Sequence, residues 1–269
     1  VEARLAPGWG PPRGYTFTRL SGSSDLGGDK YVTQTAIEIF FLLMAAAVVS
    51  TAITPAVTNF LYRNRLGKII RDIKETPIYT LLHAKKAGTP TMGGVLIWGT
   101  VLIITASAWL ASQIFLTGFW HTLNFWSRSE TYLPIGIMIM AALVGLLDDW
   151  FIARQIGAHG GGLRARHRLL IYAVIAAIGA WWFVSKLDWT TLHVPFVGNF
   201  DIGLWYFPLF MLVIVSTSFS VNNADGLDGL AGGLLLAGFS AYVVIAASQG
   251  KLELASLIAV IIGALLSFL

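Results

Sequence analysis

Seven stretches of this sequence are too long and too apolar to sit in water. The first, residues 36–61, is long enough to cross about 30 Å of hydrocarbon. Others follow at about 92–116, 132–147, 169–184, 202–219 and 230–247, and a seventh begins near 252 and is still apolar at Leu269. Within a bilayer every backbone N–H and C=O must find a partner inside the segment, so runs of this kind form helices. The expected fold is an all-α integral membrane protein, a polytopic helical bundle with about seven spans. Composition agrees: 56% of residues are hydrophobic and 12% charged, where a soluble domain carries about 25% charge. Residues 1–35, rich in Gly, Pro and Ser, read as a flexible segment outside the bilayer, and 36–269 as the transmembrane domain. Pro55 is expected to kink the first span.

Net charge is +4, and the basic residues flank the spans rather than forming a basic domain of their own. That pattern points to positive loops and not to nucleic-acid binding. The loops at 62–91 and 148–168 hold eleven of the eighteen Lys and Arg residues. The positive-inside rule then makes those two loops, and 221–229 with them, cytoplasmic. Trp181, Trp182, Trp189, Trp205 and Tyr206 fall near span ends, as an aromatic belt would. There is no cysteine, which removes disulfides, thiolate metal sites and cysteine nucleophiles.

The unusual polar residues all fall on the same side of the membrane. Asp148 and Asp149 end an otherwise apolar run. Neighbouring carboxylates repel, so burial near lipid raises a pKa unless a cation compensates. The pair suits a magnesium site or acid–base work; the plain alternative is an interfacial helix stop balanced by Arg154. Between two apolar runs lies Val-Asn-Asn-Ala-Asp-Gly-Leu-Asp-Gly-Leu at 221–230. If helical, it sets Asn222, Asp225 and Asp228 on one face, able to bind a cation or a polar ligand. Asn, Asp and Gly equally favour a capped turn. At 85–94, Lys-Lys-Ala-Gly-Thr-Pro-Thr-Met-Gly-Gly offers cations, hydroxyls and close backbone approach for phosphate, or merely a positive flank and a helix start. At 160–168, Gly-Gly-Gly-Leu-Arg-Ala-Arg-His-Arg could grip a phosphate or anchor to anionic headgroups.

These four motifs, in this order, resemble the phospho-N-acetylmuramoyl-pentapeptide transferase (MraY) family of the polyprenyl-phosphate N-acetylhexosamine-1-phosphate transferase superfamily. The marks are Lys-Ala-Gly-Thr-Pro-Thr-Met-Gly-Gly at 86–94, Gly-Leu-Leu-Asp-Asp-Trp at 145–150, Gly-Leu-Arg-Ala-Arg-His-Arg at 162–168 and Asn-Asn-Ala-Asp-Gly-Leu-Asp-Gly-Leu at 222–230. The resemblance implies a multi-pass enzyme of the bacterial inner membrane, with cytoplasmic active-site loops. Such an enzyme transfers phospho-MurNAc-pentapeptide from UDP-MurNAc-pentapeptide to undecaprenyl phosphate with Mg²⁺, giving lipid I and UMP in peptidoglycan synthesis.

Carried over by position, Asp148 activates or orients the lipid phosphate, and Asp149 supports it and the metal. Asn222 and Asp225 line the metal–diphosphate site, so the implied catalytic set is Asp148, Asp149 and Asp225, with Asp148 and Asn222 as metal ligands. Gly226, Leu227 and Asp228 contact the uridine, Lys86 and Thr91 lie beside the nucleotide, and Arg166 and Arg168 bind substrate. A homodimer is left open by the resemblance. Family members have ten spans, and an aspartate and a His-rich loop found later in them are absent here, so residues 1–269 alone are expected to be inactive. A family lysine has no counterpart near Phe151 and Ile152, and Phe219 stands where the family has asparagine. The competing readings are a WecA-type transferase using another UDP-sugar, and a membrane transporter with its carboxylates as ion sites.

Overall fold

The computed structural model describes residues 26–64, 92–127, 130–154, 156, 162–194, 196–224 and 229–269, with backbone alone for 26–32. In chain order they form α1 (Leu26–Arg63), α2 (Gly94–Ile114), the single turn α3 (Phe119–Thr122), α4 (Tyr132–Ala153) and α5 (Ala165–Lys186). Then come strands β1 (Thr191–Val194) and β2 (Gly198–Asp201), a 3-10 turn (Gly203–Trp205), α6 (Tyr206–Ala224), α7 (Leu230–Ser248) and α8 (Leu252–Phe268). The chain divides into two compact units, Val1–Gln34 and Thr35–Leu269. The described part of the first is the opening of α1; the second holds the rest of that helix and all the later elements.

Six helical segments are long and apolar enough to cross a membrane: Thr33–Arg63, Gly94–Ile114, Tyr132–Ala153, Ala165–Lys186, Gly203–Ala224 and Leu230–Ser248. The protein is thus an all-α, multi-pass membrane protein. Its outward faces are apolar, with Phe40, Val48 and Phe60 on α1, Leu170 and Val174 on α5, Leu212 and Val213 on α6, and Tyr242 and Val244 on α7 all exposed. A soluble protein would not leave that much contiguous apolar surface uncovered. Pro134 and Pro208 fall in the first turns of α4 and α6, where the missing N–H is one that a helix leaves unpaired anyway. Helix α1 continues through Pro55.

The seventh apolar run forms α8, which has 17 residues, about 25 Å at 1.5 Å per residue. Its buried residues, from Ala255 through Leu265, go round all its sides, as expected of a helix that is hydrophobic all round. Leu257 and Val260 pack with Leu42 and Ala46 of α1, Val101, Ile104 and Ala108 of α2, and Ile135 of α4. Ile258 and Ile262 pack with Ala246 and its neighbours on α7. At Gly263 the backbones of α1 and α8 nearly touch: a Cβ there would strike Leu43 O and lie 2.9 Å from Ala46 Cβ. One turn further on, the hydroxyls of Thr51 and Ser267 share a 2.9 Å hydrogen bond. Both contacts advance together along the two helices, so α1 and α8 run parallel.

One element departs from the all-helical expectation. The segment between α5 and α6 is an antiparallel hairpin, with Thr191 opposite Asp201 and Val194 opposite Gly198.

Candidate active site

Asp148 and Asp149 lie in the last turns of α4, and the chain beyond folds back onto them. The N–H of Ile156 donates to Phe151 O (2.9 Å), and that of Gly162 to Ile156 O (3.1 Å). Gly162 sits at φ 91, and a Cβ there would lie 2.8 Å from Ile152 Cγ1 and 3.2 Å from Asp148 Oδ1. Glycine is therefore required both by conformation and by space. The next amide, Leu163 N–H, donates to Asp148 Oδ1 at 2.6 Å. Arg164 is extended (φ −65, ψ 148) and starts α5, whose first turn carries Arg168. Its guanidinium Nη2 lies 2.7 Å from Asp148 Oδ2, and the two side chains are 28% and 17% exposed. Both oxygens of Asp148 are thereby engaged, one by an amide and one by a cation. Such charge-assisted contacts are among the stronger hydrogen bonds. The compensating cation is Arg168 of the following helix, and not Arg154, which the reading of the pair as a plain helix stop names.

Asp149 is tied to a different motif. Its Oδ2 accepts the N–H of Met92 at 2.9 Å, fifty-seven positions earlier in the chain. Met92 has φ 70, a left-handed conformation that non-glycine residues adopt at a cost, often at functional sites. That geometry aims its amide at Asp149 while its carbonyl accepts from Val95 N–H (3.1 Å) to start α2. Next door, a Cβ on Gly93 would lie 2.9 Å from Phe268 Cε2, and one on Gly232 would lie 2.7 Å from Leu269 Cδ2. The start of α2, the end of α8 and the start of α7 are therefore adjacent, on the same end of the helices as Asp148. Gly229, left-handed at φ 76, caps α7 there.

Of the residues singled out in the sequence, the structure brings Asp148, Asp149 and Arg168 together. Arg166 is exposed, two positions away from Arg168 and so turned off its face of α5. Asn222 is exposed in the last turn of α6, which ends at Ala224 as described. Lys86, Thr91, Asp225, Gly226, Leu227 and Asp228 lie outside the described residues. The backbone amides of Met92 and Leu163 carry no mark in the sequence. The triple glycine at 160–162 is the available hint of close approach.

Among the described residues no cluster of three or more His, Asp or Glu side chains is placed to hold a metal. The donor chemistry nonetheless suits a hard cation: a carboxylate offers about four lone-pair sites, and on Asp148 the Leu163 amide and the Arg168 guanidinium occupy only part of them. Asp148 and Asp149 could hold Mg²⁺, which is bound typically through one or two carboxylates plus substrate phosphates. Arg168 also has a buried Nε with no hydrogen-bond partner, a donor left over beside the acidic pair.

A second polar cluster, marked by no sequence motif, lies at the opposite end of the helices. Glu130 Oε2 accepts Leu254 N–H (3.1 Å) at the start of α8, and Thr122 donates to Glu38 Oε1 (2.7 Å). Burial, and to a lesser degree the charge of Glu253, raises the pKa of Glu130, with the Leu254 bond and the charge of Lys251 opposing it. Burial likewise lowers that of Lys251, against the pull of Glu130. Desolvation thus outweighs attraction for both partners.

Residues 132–269 match the model for glycosyl transferase family 4, and residues 86–97 match phospho-N-acetylmuramoyl-pentapeptide-transferase signature 1. A phospho-N-acetylmuramoyl-pentapeptide-transferase of Chloroflexus aurantiacus is 36% identical over 210 residues, covering 76% of this chain and 52% of that protein. One of Levilactobacillus brevis is 30% identical over 234 residues, 87% of this chain and 67% of the relative. One of Anoxybacillus flavithermus is 32% identical over 232 residues, 86% and 66% respectively. The chain spans about half the length of the first of these relatives.

Proposed function

Because this chain belongs to glycosyl transferase family 4, among the phospho-N-acetylmuramoyl-pentapeptide-transferases, we propose that it forms part of an enzyme making lipid I. That enzyme takes UDP-MurNAc-pentapeptide and undecaprenyl phosphate and releases UMP, in bacterial peptidoglycan synthesis. It lies in the inner membrane with the Asp148 end facing the cytoplasm, where a soluble donor arrives from one side and a lipid phosphate from the other. One observation carries this: Asp148 and Asp149 are each fastened to a different motif, through Leu163 and Arg168 on one hand and Met92 on the other. Three motifs far apart in sequence thus converge on one acidic pair at one end of the helices.

The chemistry follows from those contacts. Transfer of a phosphoryl group between two anions depends on positioning and on neutralising charge, with little covalent work for the protein. Held by an amide and a guanidinium, Asp148 keeps a fixed orientation toward an incoming lipid phosphate. Arg168 offers its remaining N–H donors to a phosphate oxygen, the recognition for which a guanidinium is suited. Met92 N–H fixes the orientation of Asp149, the next residue along the same helix turn. Asn222, at the same end, adds a side-chain amide, and Lys86, Thr91, Arg166, Asp225, Gly226, Leu227 and Asp228 complete the proposed substrate contacts. Bound at Asp148 with Asn222 or Asp149, Mg²⁺ would supply Lewis-acid stabilisation of the diphosphate.

The test is Asp148→Asn in the intact enzyme, assayed for UMP release from UDP-MurNAc-pentapeptide with undecaprenyl phosphate, against UDP-GlcNAc as the competing donor. Loss of an acid–base group costs about 10²-fold or more. Activity with the muramoyl donor should fall by that much while thermal unfolding stays cooperative. Unchanged release by the variant, or preference for UDP-GlcNAc, would overturn the assignment.

A further inference from the structure

The β1–β2 hairpin plays no part in the acidic site, since it joins the far ends of α5 and α6. Its register sorts side chains by chemistry. Leu192 pairs with Phe200 and His193 with Asn199, and successive side chains on a strand point to opposite faces. Thr191, His193, Asn199 and Asp201 therefore share one face, where His193 Nδ1 and Asn199 Oδ1 are 2.6 Å apart. Leu192, Val194 and Phe200 share the other. At the tip, Val197 N–H donates to Val194 O (3.1 Å), closing a turn in which Phe196 has φ 68. That turn position favours Gly or Asn, and a bulky residue there is an outlier. The Phe196 ring is nonetheless wholly exposed, as are most of Val197, Leu204 and Trp205.

Exposed aromatics on a strained turn need an apolar surface to rest against, and a two-stranded hairpin is marginal in water without one. The chain path supplies that surface. The hairpin leaves from the end of one membrane-spanning helix and leads through Gly203–Trp205 directly into the next. Lys186 Nζ lies 5.7 Å from the Trp181 ring centroid, as a basic residue does at the headgroup level. Asp188 and Asp201 are the charges in the segment 187–201, which carries no Lys or Arg.

We propose that the hairpin is an interfacial anchor. Its Leu192–Val194–Phe200 face and Phe196–Val197 tip lie in the headgroup–acyl boundary of the leaflet opposite the acidic site. Thr191, His193, Asn199 and Asp201 face water. Without basic residues the contact works by apolar burial and not by attraction to anionic lipid.

The absence of cysteine allows a clean test. In the intact enzyme, with any cysteine outside residues 1–269 replaced by serine, Val197→Cys and His193→Cys each carry a single thiol for an environment-sensitive fluorophore. The labelled chains go into phosphatidylcholine vesicles with and without phosphatidylglycerol, and are quenched by iodide or by lipid spin-labelled near the headgroup. At position 197 the emission should shift to the blue, lose iodide quenching and gain quenching by the spin-labelled lipid; position 193 should behave oppositely. Both should be unaffected by phosphatidylglycerol. Equal iodide quenching at 197 and 193 would overturn the proposal. So would protection of 197 from both quenchers, the result if a second copy or another protein covers the tip. Phe200→Cys, on the same face but away from the strained turn, repeats the measurement if a label at 197 disturbs the hairpin.

Discussion

Replacing Gly162 with alanine probes the acidic site without removing any charged group. The added Cβ meets two objections. At φ 91 an L-residue pays about 1–2 kcal/mol. It would also lie 2.8 Å from Ile152 Cγ1 and 3.2 Å from Asp148 Oδ1. The Ile152 side chain can swing aside, but the carboxylate cannot retreat without loosening its bond to Leu163 or to Arg168. A hydrogen bond to a charged group is worth about 1.5–3 kcal/mol net. If one such bond is lost on top of the conformational cost, Gly162→Ala should destabilise the protein by about 2.5–5 kcal/mol. Gly94→Ala is the matched control: nothing lies within 4 Å of its Cβ position, and alanine in a helix is favoured over glycine by about 0.5–1 kcal/mol. The ten tryptophans report thermal unfolding directly, and UMP release by the intact enzyme reports the site. Gly162→Ala should lose both stability and turnover, and Gly94→Ala should lose no stability. Equal stability of the two variants would refute the claim that Gly162 holds the loop against Asp148.

Arg168→Met leaves Asp148 with an amide alone and should cost about 1.5–3 kcal/mol in thermal unfolding. Arg168→Lys, which keeps the charge but not the fork, should recover part of it. Gly263→Ala drives a Cβ into Leu43 O and toward Ala47 N at 3.1 Å. Because backbone cannot yield as a side chain can, about 1–3 kcal/mol should be lost, read as a lower melting temperature. Glu130, whose pKa burial raises above its ordinary 4.5, contributes stability that is fully present below that value and lost as pH rises through the elevated one. Glu130→Gln keeps an acceptor for Leu254 N–H, so melting temperature plotted against pH should flatten above about 4.5; an unchanged slope would show that Glu130 is not the group responsible.

The spans are legible in the sequence because length and hydropathy leave a chain no alternative in a bilayer. Asp148 and Asp149 stand out for the same reason, as charges at the end of an apolar run. Which loops meet is not legible. The Met92 amide and the Asp149 carboxylate are separated by two whole membrane crossings. Arg154 is the basic residue nearest Asp148 in the sequence, and only the turn at Gly162 brings Arg168 of α5 round to it. The hairpin is faint although 191–201 alternates polar with apolar around a Gly, because short strands give weaker signals than spans do. The enclosure of α8 is likewise hidden: an all-apolar helix looks the same from its sequence whether lipid or protein surrounds it.

The parallel contact of α1 and α8 has a bearing on biogenesis. These helices are the earliest and the latest to be synthesised among those described, yet each supplies the other's closest neighbour at Gly263. A nascent chain therefore carries α1 in the bilayer with Ala46 and Ala47 still facing acyl tails while five further crossings are inserted. Consolidation of the interior waits for the last of them to leave the ribosome. Damage at this contact should accordingly yield protein that is correctly threaded through the membrane but cleared as an unassembled intermediate.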